Sequence, residues 1–517
     1  MDRPGQPQER PGGRTGGRCR RRNHRGALGV GAGPHPRVVR RAAAPIHRST
    51  HPQVDPATDR QSPAVSAILS PAGIDRPAQP GRPTPYRPRP RHPAPPASPE
   101  RPDMTDIPLA VLDLVPVSAG DTPHDALRNT VDLARRAEEF GYRRYWFAEH
   151  HLNPGLLGVS PAVAIALVAG ATSTIRLGSA GVQSGHRTPL SVVEEFGLID
   201  ALHPGRLDLG IGRSPGRPAP TNGASPNGAS ANGASANGGS APGAATSAPA
   251  LVSAAAAAYQ ASLGGADHST DQRAANGLLI PRRFDFSTLL GSPRLGLTLS
   301  LLQQPGAYTP EYADQIDDVL ALLRDTYHAA DGQTARAWPG AGAAVEVWIL
   351  GASGGSSASV AGSRGLRFAA SYHHSPSTVL DAVEAYRAAF EPSTDLAAPY
   401  VSVSADVVVG EDDASAARLA SGYGLWVRSI RSGAGAIPFP SPQEAAAHTW
   451  SDADREQVAD RVATQLVGSP STVADRLEQL AAATGADELA VTTITHRHAD
   501  RVRSYELLAA EWARRHG

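Results

Sequence analysis

Apolar residues along the chain gather into eight short runs, separated by helix-length stretches of mixed polarity. The runs are 108–115, 143–147, 174–180, 206–211, 345–350, 366–370, 400–408 and 487–493. They are rich in β-branched and aromatic residues, which predicts strands. Several are almost continuously apolar, as parallel strands buried on both faces are. The intervening segments carry helix start signals. Thr122-Pro123, Ser160-Pro161, Thr188-Pro189, Thr309-Pro310 and Ser469-Pro470 each place a capping hydroxyl before a proline at the first helical position. Phe140-Gly141 and His203-Pro204-Gly205 supply stops. Tyr312, Ile316, Val319, Leu320 and Leu323 form a helical stripe.

This alternation predicts the α/β class and a (β/α)8 TIM barrel. An open doubly wound sheet is the alternative. No Gly-x-Gly-x-x-Gly opens a helix after the first strand, so its dinucleotide-binding form has little support. In a barrel, chemistry belongs at the C-terminal ends of the strands.

Two segments fall outside the pattern and account for the Gly (52) and Pro (46) excess of this 517-residue chain. Residues 1–103 hold 21 Pro, and Tyr86 is their only aromatic. Such a stretch cannot propagate helix or sheet or bury enough surface to order itself. It is expected to be a disordered Arg/Pro-rich extension. The domain proper is expected at 104–517, with Met104 its natural start and the leader foreign to the native protein. Within it, 214–275 contains Asn222-Gly-Ala-Ser and its repeats at Asn227, Asn232 and Asn237. That composition predicts a flexible insertion after the fourth strand.

The zero net charge is a cancellation. Residues 1–103 carry 19 Arg against 7 acidic residues, and the remainder is acidic by the same margin. The basic arm raises nucleic-acid binding as a reading, as well as a transit or twin-arginine signal. No apolar stretch follows Arg25 to complete an export signal. The single cysteine, Cys19, excludes an internal disulfide framework and a cysteine-based metal cluster. No apolar run is long enough to span a membrane.

At the end of the second strand stands Glu149-His150-His151. Three ionisable groups there are costly to bury, and a histidine serves as acid or base near neutrality. A metal reading lacks its third and fourth ligands, so no metal is expected. After the fourth strand, Gly210-Ile-Gly212-Arg213-Ser214 combines close backbone approach with a guanidinium. After the fifth, Gly351-Ala-Ser353-Gly354-Gly-Ser356-Ser357 precedes a helix, the arrangement of an anion site. Together these loops suit a phosphorylated cofactor. Tyr372-His373-His374 and Thr495-His496 are expected at the rim.

The residues Tyr145-Trp-Phe-Ala-Glu-His-His151, Thr174-Ile-Arg-Leu-Gly-Ser179, Pro204-Gly-Arg-Leu-Asp-Leu-Gly-Ile-Gly-Arg213, Val345-Glu-Val-Trp-Ile-Leu-Gly351 and Val467-Gly-Ser-Pro470 resemble the bacterial luciferase-like flavin monooxygenase family. The resemblance covers about 104–213 and 309–515. It implies a barrel with an insertion near the site, usually a homodimer. It further implies reduced FMN from a separate flavin reductase, O2, and oxygenation of a small organic substrate through a flavin C4a-peroxide. One branch uses a deazaflavin coenzyme for hydride transfer instead. A non-catalytic flavin-binding partner subunit is the reading outside enzymes.

By the same resemblance, His150 is the acid/base, and Glu149 and His151 orient it or shape the pocket. Arg213, Ser353, Ser356, Ser357 and the Gly354 N–H hold the phosphate. Ser179 and Ala180 lie near the isoalloxazine. Gly212 stands where the luciferases proper carry a reactive cysteine, which weakens any claim of light emission. An enclosed site is expected, because the oxygen chemistry must exclude water. The insertion would close it, with Phe284, Phe286, Leu289 and Leu290 placed either near the mouth or in the core. The acidic domain and missing export signal fit the cytoplasm, with no nucleic acid and no membrane as partners.

Overall fold

Eight parallel strands close on themselves into a ring. The computed structural model describes residues 107–214, 216, 268–286, 289 and 292–517. The expected 1–103 extension, the Asn-Gly-Ala-Ser tract and Leu290 lie outside the described residues. In chain order the strands are β1 (Leu109–Asp113), β2 (Arg144–Phe147), β3 (Arg176–Ser179), β4 (Val182–Gln183), β5 (Leu207–Gly212), β6 (Gln272–Arg273), β7 (Leu279–Ile280), β8 (Val345–Gly351), β9 (Arg367–Ser371), β10 (Val401–Val409), β11 (Leu466–Gly468) and β12 (Glu488–Thr492). The ring runs β1, β2, β3, β5, β8, β9, β10, β12 and returns to β1, every step parallel. The expected TIM barrel is therefore the fold. Each of the eight apolar runs became a ring strand, and β4 and β11 are short additions paired to β5 and β10.

The capping signals worked where the hydroxyl found its own helix. Thr122 accepts from Asp125 N and Asp125 bonds back, a capping box on the helix Pro123–Glu139. Thr188 and Ser469 cap their helices as well. Ser160 precedes Pro161 at the first helical turn but makes no side-chain cap bond. Thr309 does not start a helix. The helix Tyr312–Leu323 begins after Glu311, and the Thr309 hydroxyl donates to the Gly185 carbonyl at 2.6 Å. A distant acceptor took the hydroxyl that the local pattern assigned to a cap.

The barrel interior is charged below and aromatic above. Arg144 is buried among Asp208 (2.8 Å), Glu488 (2.9 Å) and Glu346 (3.0 Å). Two residues further along β2, Trp146 donates to Asp208 and meets Trp348 edge-on at 4.9 Å. This layer supports the cavity floor.

Residues 268–275, within the expected insertion, carry β6, which pairs antiparallel with β7. The strap 268–286 is stitched to the barrel at several points. His268 meets Asp381 at 2.6 Å, and Tyr372 Oη donates to the Leu279 carbonyl at 2.8 Å. Asn276 and Gln479 exchange side-chain amide donors for backbone carbonyls at 2.7 and 2.8 Å.

Candidate active site

A cavity of about 650 Å³ opens at the C-terminal ends of the strands, within the range of small-molecule sites. Its wall includes Glu149, His150, Ala180, Gly212, Arg213, Ser353, Ser356 and Ser357. Eight of the eleven residues singled out from the sequence thus converge on one space. The other three stand behind it. Ser179 is buried, donating to the Gly210 carbonyl at 2.8 Å and accepting from its N–H at 3.0 Å, so it stitches β3 to β5. Gly354 faces the helix Val379–Ala389, where an added Cβ would come within 3.2 Å of the Asp381 carbonyl. His151 turns to Glu149, at 2.9 Å.

Glu149 is the hub of the strand-two end. Its carboxylate accepts from the Gln183 N–H at 2.8 Å, His151 Nε2 at 2.9 Å, His186 Nε2 at 3.1 Å and Arg187 Nε at 3.3 Å. Burial works to raise its pKa. The hydrogen bonds from His151, His186 and the Gln183 amide, with the Arg187 charge, outweigh burial and hold it at about 2. His186 is the third metal-type ligand that the sequence pattern lacked, since its ligand atom, Glu149's and His151's lie within 4.8 Å of one another. The Arg187 guanidinium on the same carboxylate opposes a cation there.

His150 is held differently. Its N–H donates to the Gly158 carbonyl at 2.6 Å, and its ring lines the cavity. Among the described residues nothing hydrogen-bonds that ring, so both nitrogens remain available to a bound molecule. Burial pushes its pKa down to about 4, His151 adds to the shift, and Glu149 opposes it. The imidazole is therefore neutral at neutral pH, with one N–H donor and one acceptor nitrogen.

Another part of the wall lies at the ends of β5 and β8. The helix Ser356–Ser363 starts at Gly355 with no side-chain cap on its first N–H groups, and Gly355, Ser356 and Ser357 line the cavity. Ser353, Ser356, Ser357 and Arg213 surround this point. A Cβ added at Gly212 meets only the Val182 carbonyl, at 3.9 Å; glycine there keeps the wall clear. Tyr312, marked in the sequence only as part of a helical stripe, braces this end. Its hydroxyl donates to the Ile211 carbonyl at 3.2 Å. Burial pushes its pKa up, against the Ser357 hydrogen bond and the Arg213 charge.

His373 and His374, expected at the rim, line the wall instead. His373 Nδ1 lies 2.7 Å from Ser404 Oγ and 3.2 Å from Ser371 Oγ. Burial, then the charges of Arg461 and His150, lowers its pKa to about 3. Arg431 and Asp460, from the helices Tyr423–Arg431 and Asp452–Thr464, and Phe284 and Phe286 of the strap complete the wall. The sequence pattern marked the two phenylalanines but not the Arg431–Asp460 pair. His496 is not on the lining; it approaches the Phe439 carbonyl at 3.4 Å.

In this closed barrel the end of the second strand and the loops after β5 and β8, two and three strands further round, thus line one cavity. The chain belongs to the luciferase-like monooxygenase family: the family model matches residues 107–232 and 299–488. It is 31% identical over 411 residues to the uncharacterized protein YvbT of Bacillus subtilis (strain 168), covering 79% of this chain and 98% of that protein. A luciferase-like monooxygenase of Escherichia coli (strain K12) is 29% identical, covering 78% and 97%. Among solved structures, apo-MsnO8 matches with a TM-score of 0.56 and 27% identity, covering 80% of this chain and 99% of that one. Among the described residues, no helix is long and apolar enough to cross a membrane.

Proposed function

We propose that this chain is a flavin-dependent monooxygenase that uses reduced FMN and dioxygen to oxygenate a small organic molecule. The observation that carries the reading is one cavity holding both an unbonded, neutral His150 ring and the Arg213–Ser353–Ser356–Ser357 cradle. The cradle's chemistry fits a phosphate: a guanidinium, three hydroxyls and an uncapped helix start. Reduced FMN, when bound, supplies the electrons with which dioxygen is activated.

The chain's own residues do the rest. Arg213 and the serines hold the phosphate, and Tyr312 braces Ser357 by a hydrogen bond. Ala180 and Gly212 leave room for a flat ring system. His150 exchanges a proton at a ring nitrogen with the reacting groups. Glu149 acts as a positioning residue: it anchors Gln183, His151 and His186 and so fixes the strand-two loop from which His150 projects. Phe284 and Phe286 exclude water from the mouth. His151, Ser179 and Gly354 support the site from behind its wall.

The same cradle suits a deazaflavin coenzyme that transfers hydride without dioxygen. A separate flavin reductase would deliver reduced FMN, in the cytoplasm. A homodimer completes the reading. The helices Pro161–Ala169 and Pro189–Leu202 lack an amphipathic face and leave Val163, Leu167, Leu198 and Leu202 exposed, the last by 79%, a patch suited to a second copy.

The test is re-oxidation of reduced FMN by dioxygen, followed by flavin absorbance with and without the chain, and the same with deazaflavin. Protein-bound FMN is expected to re-oxidise in a distinct slower phase that His150→Ala alters. Failure of the folded protein to bind reduced FMN contradicts the proposal, and binding of deazaflavin alone favours hydride transfer.

A further inference from the structure

One end of the cavity is left over once the cradle is assigned. Arg213 and the serines stand at β5 and β8, whereas Phe284, Phe286, His374, Arg431 and Asp460 form the wall beyond β9. Phe284 and Phe286 meet edge-to-face at 5.0 Å and 83°. Phe286 stacks on the His374 ring at 6.3 Å and 24°. Phe284 covers the Arg431 guanidinium at 3.9 Å.

The charges at this end are closed. Arg431 is only 3% exposed and holds Asp460 by both oxygens, with Nη2 at 2.7 Å, and the Gln457 carbonyl at 2.6 Å. Arg283 is also engaged within the protein. His373 is bonded to Ser404. An ionised group entering here would lose its water without finding an open counter-charge. An aromatic ring would extend this cluster of ring faces and edges. The strap is tied down through His268, Asn276 and Leu279, so both phenylalanines sit on a fixed support.

We infer that this end is the organic-substrate subsite, that it takes an uncharged aromatic molecule, and that Phe284 and Phe286 determine its specificity. The inference rests on the flavin reading only for the division of the cavity into two ends.

Its test is equilibrium dialysis of the full chain, with and without saturating FMN, against 2-acetylnaphthalene and 2-naphthoate. These probes are nearly equal in size and differ in charge. The ketone is expected to bind about tenfold more tightly or better. Phe286→Ala and Phe284→Ala each weaken ketone binding by about tenfold and leave FMN affinity within about twofold. Phe286→Leu keeps most of the volume and loses less, which separates ring contact from misfolding. Equal or tighter binding of 2-naphthoate, no binding of either probe, or unchanged ketone binding in both alanine variants overturns the proposal. Ketone preference retained by a chain that binds no FMN would sink the flavin reading and leave the subsite standing.

Discussion

His186 Nε2 lies 3.1 Å from Oε1 of Glu149, the oxygen that His151 also meets. His151, together with His186, Arg187 and the Gln183 amide from the β3–β5 connection, thus depends on one buried carboxylate. Glu149→Ala strands these donors and is expected to destabilise the fold by about 2 kcal/mol. Urea unfolding of the variant and the parent at pH 7 reads it. Glu149→Gln keeps the shape and is expected to cost less.

The same group gives a pH dependence with a definite sign. Its folded pKa, about 2, lies below the ordinary value of 4.5. Its stabilisation is therefore complete above pH 4.5 and is lost as pH falls toward 2. His150 and His373 act at higher pH. Their folded values of about 4 and about 3 lie below 6.5, so the unfolded chain takes up protons first. Their contribution is present above pH 6.5 and drains away as pH falls toward 4, at up to about 1.4 kcal/mol per pH unit for each ring. Unfolding free energies between pH 7.5 and 5 should fall less steeply in His373→Asn than in the parent.

Arg144 sits among three carboxylates, two of them fully buried. Arg144→Ala leaves uncompensated charge and is expected to cost about 3–5 kcal/mol or to prevent folding. Thermal melts check the direction. Arg136→Ala, which breaks a half-exposed pair with Glu139, should change stability by about 1 kcal/mol or less.

The exposed leucines of the helix Pro189–Leu202 offer a separate check. Leu198→Glu together with Leu202→Glu is expected to turn a dimer into a monomer in light scattering, with the far-UV spectrum unchanged. A parent that is already monomeric at micromolar concentration contradicts the dimer.

The barrel was legible because each ring strand is a local apolar run, and runs such as 401–409 are buried along their whole length. Glu149 and His150 were legible because they adjoin at a strand end. His186 and Arg187, by contrast, stand 37 and 38 residues from Glu149 in sequence. Arg431 and Asp460 meet only through the packing of two helices. No local pattern encodes such meetings. The Thr309 hydroxyl illustrates the opposite error, a strong local signal overridden by an acceptor 124 residues away.

The central claim is that Arg213 and Ser353–Ser357 hold the phosphate of a flavin in this cavity. The direct measurement is a fluorescence titration of FMN and of riboflavin, which lacks the phosphate, against the parent and Arg213→Ala. FMN should bind the parent about 30-fold more tightly than riboflavin, and Arg213→Ala should remove most of that difference while leaving riboflavin binding unchanged. Equal affinity of the parent for FMN and riboflavin would contradict the account.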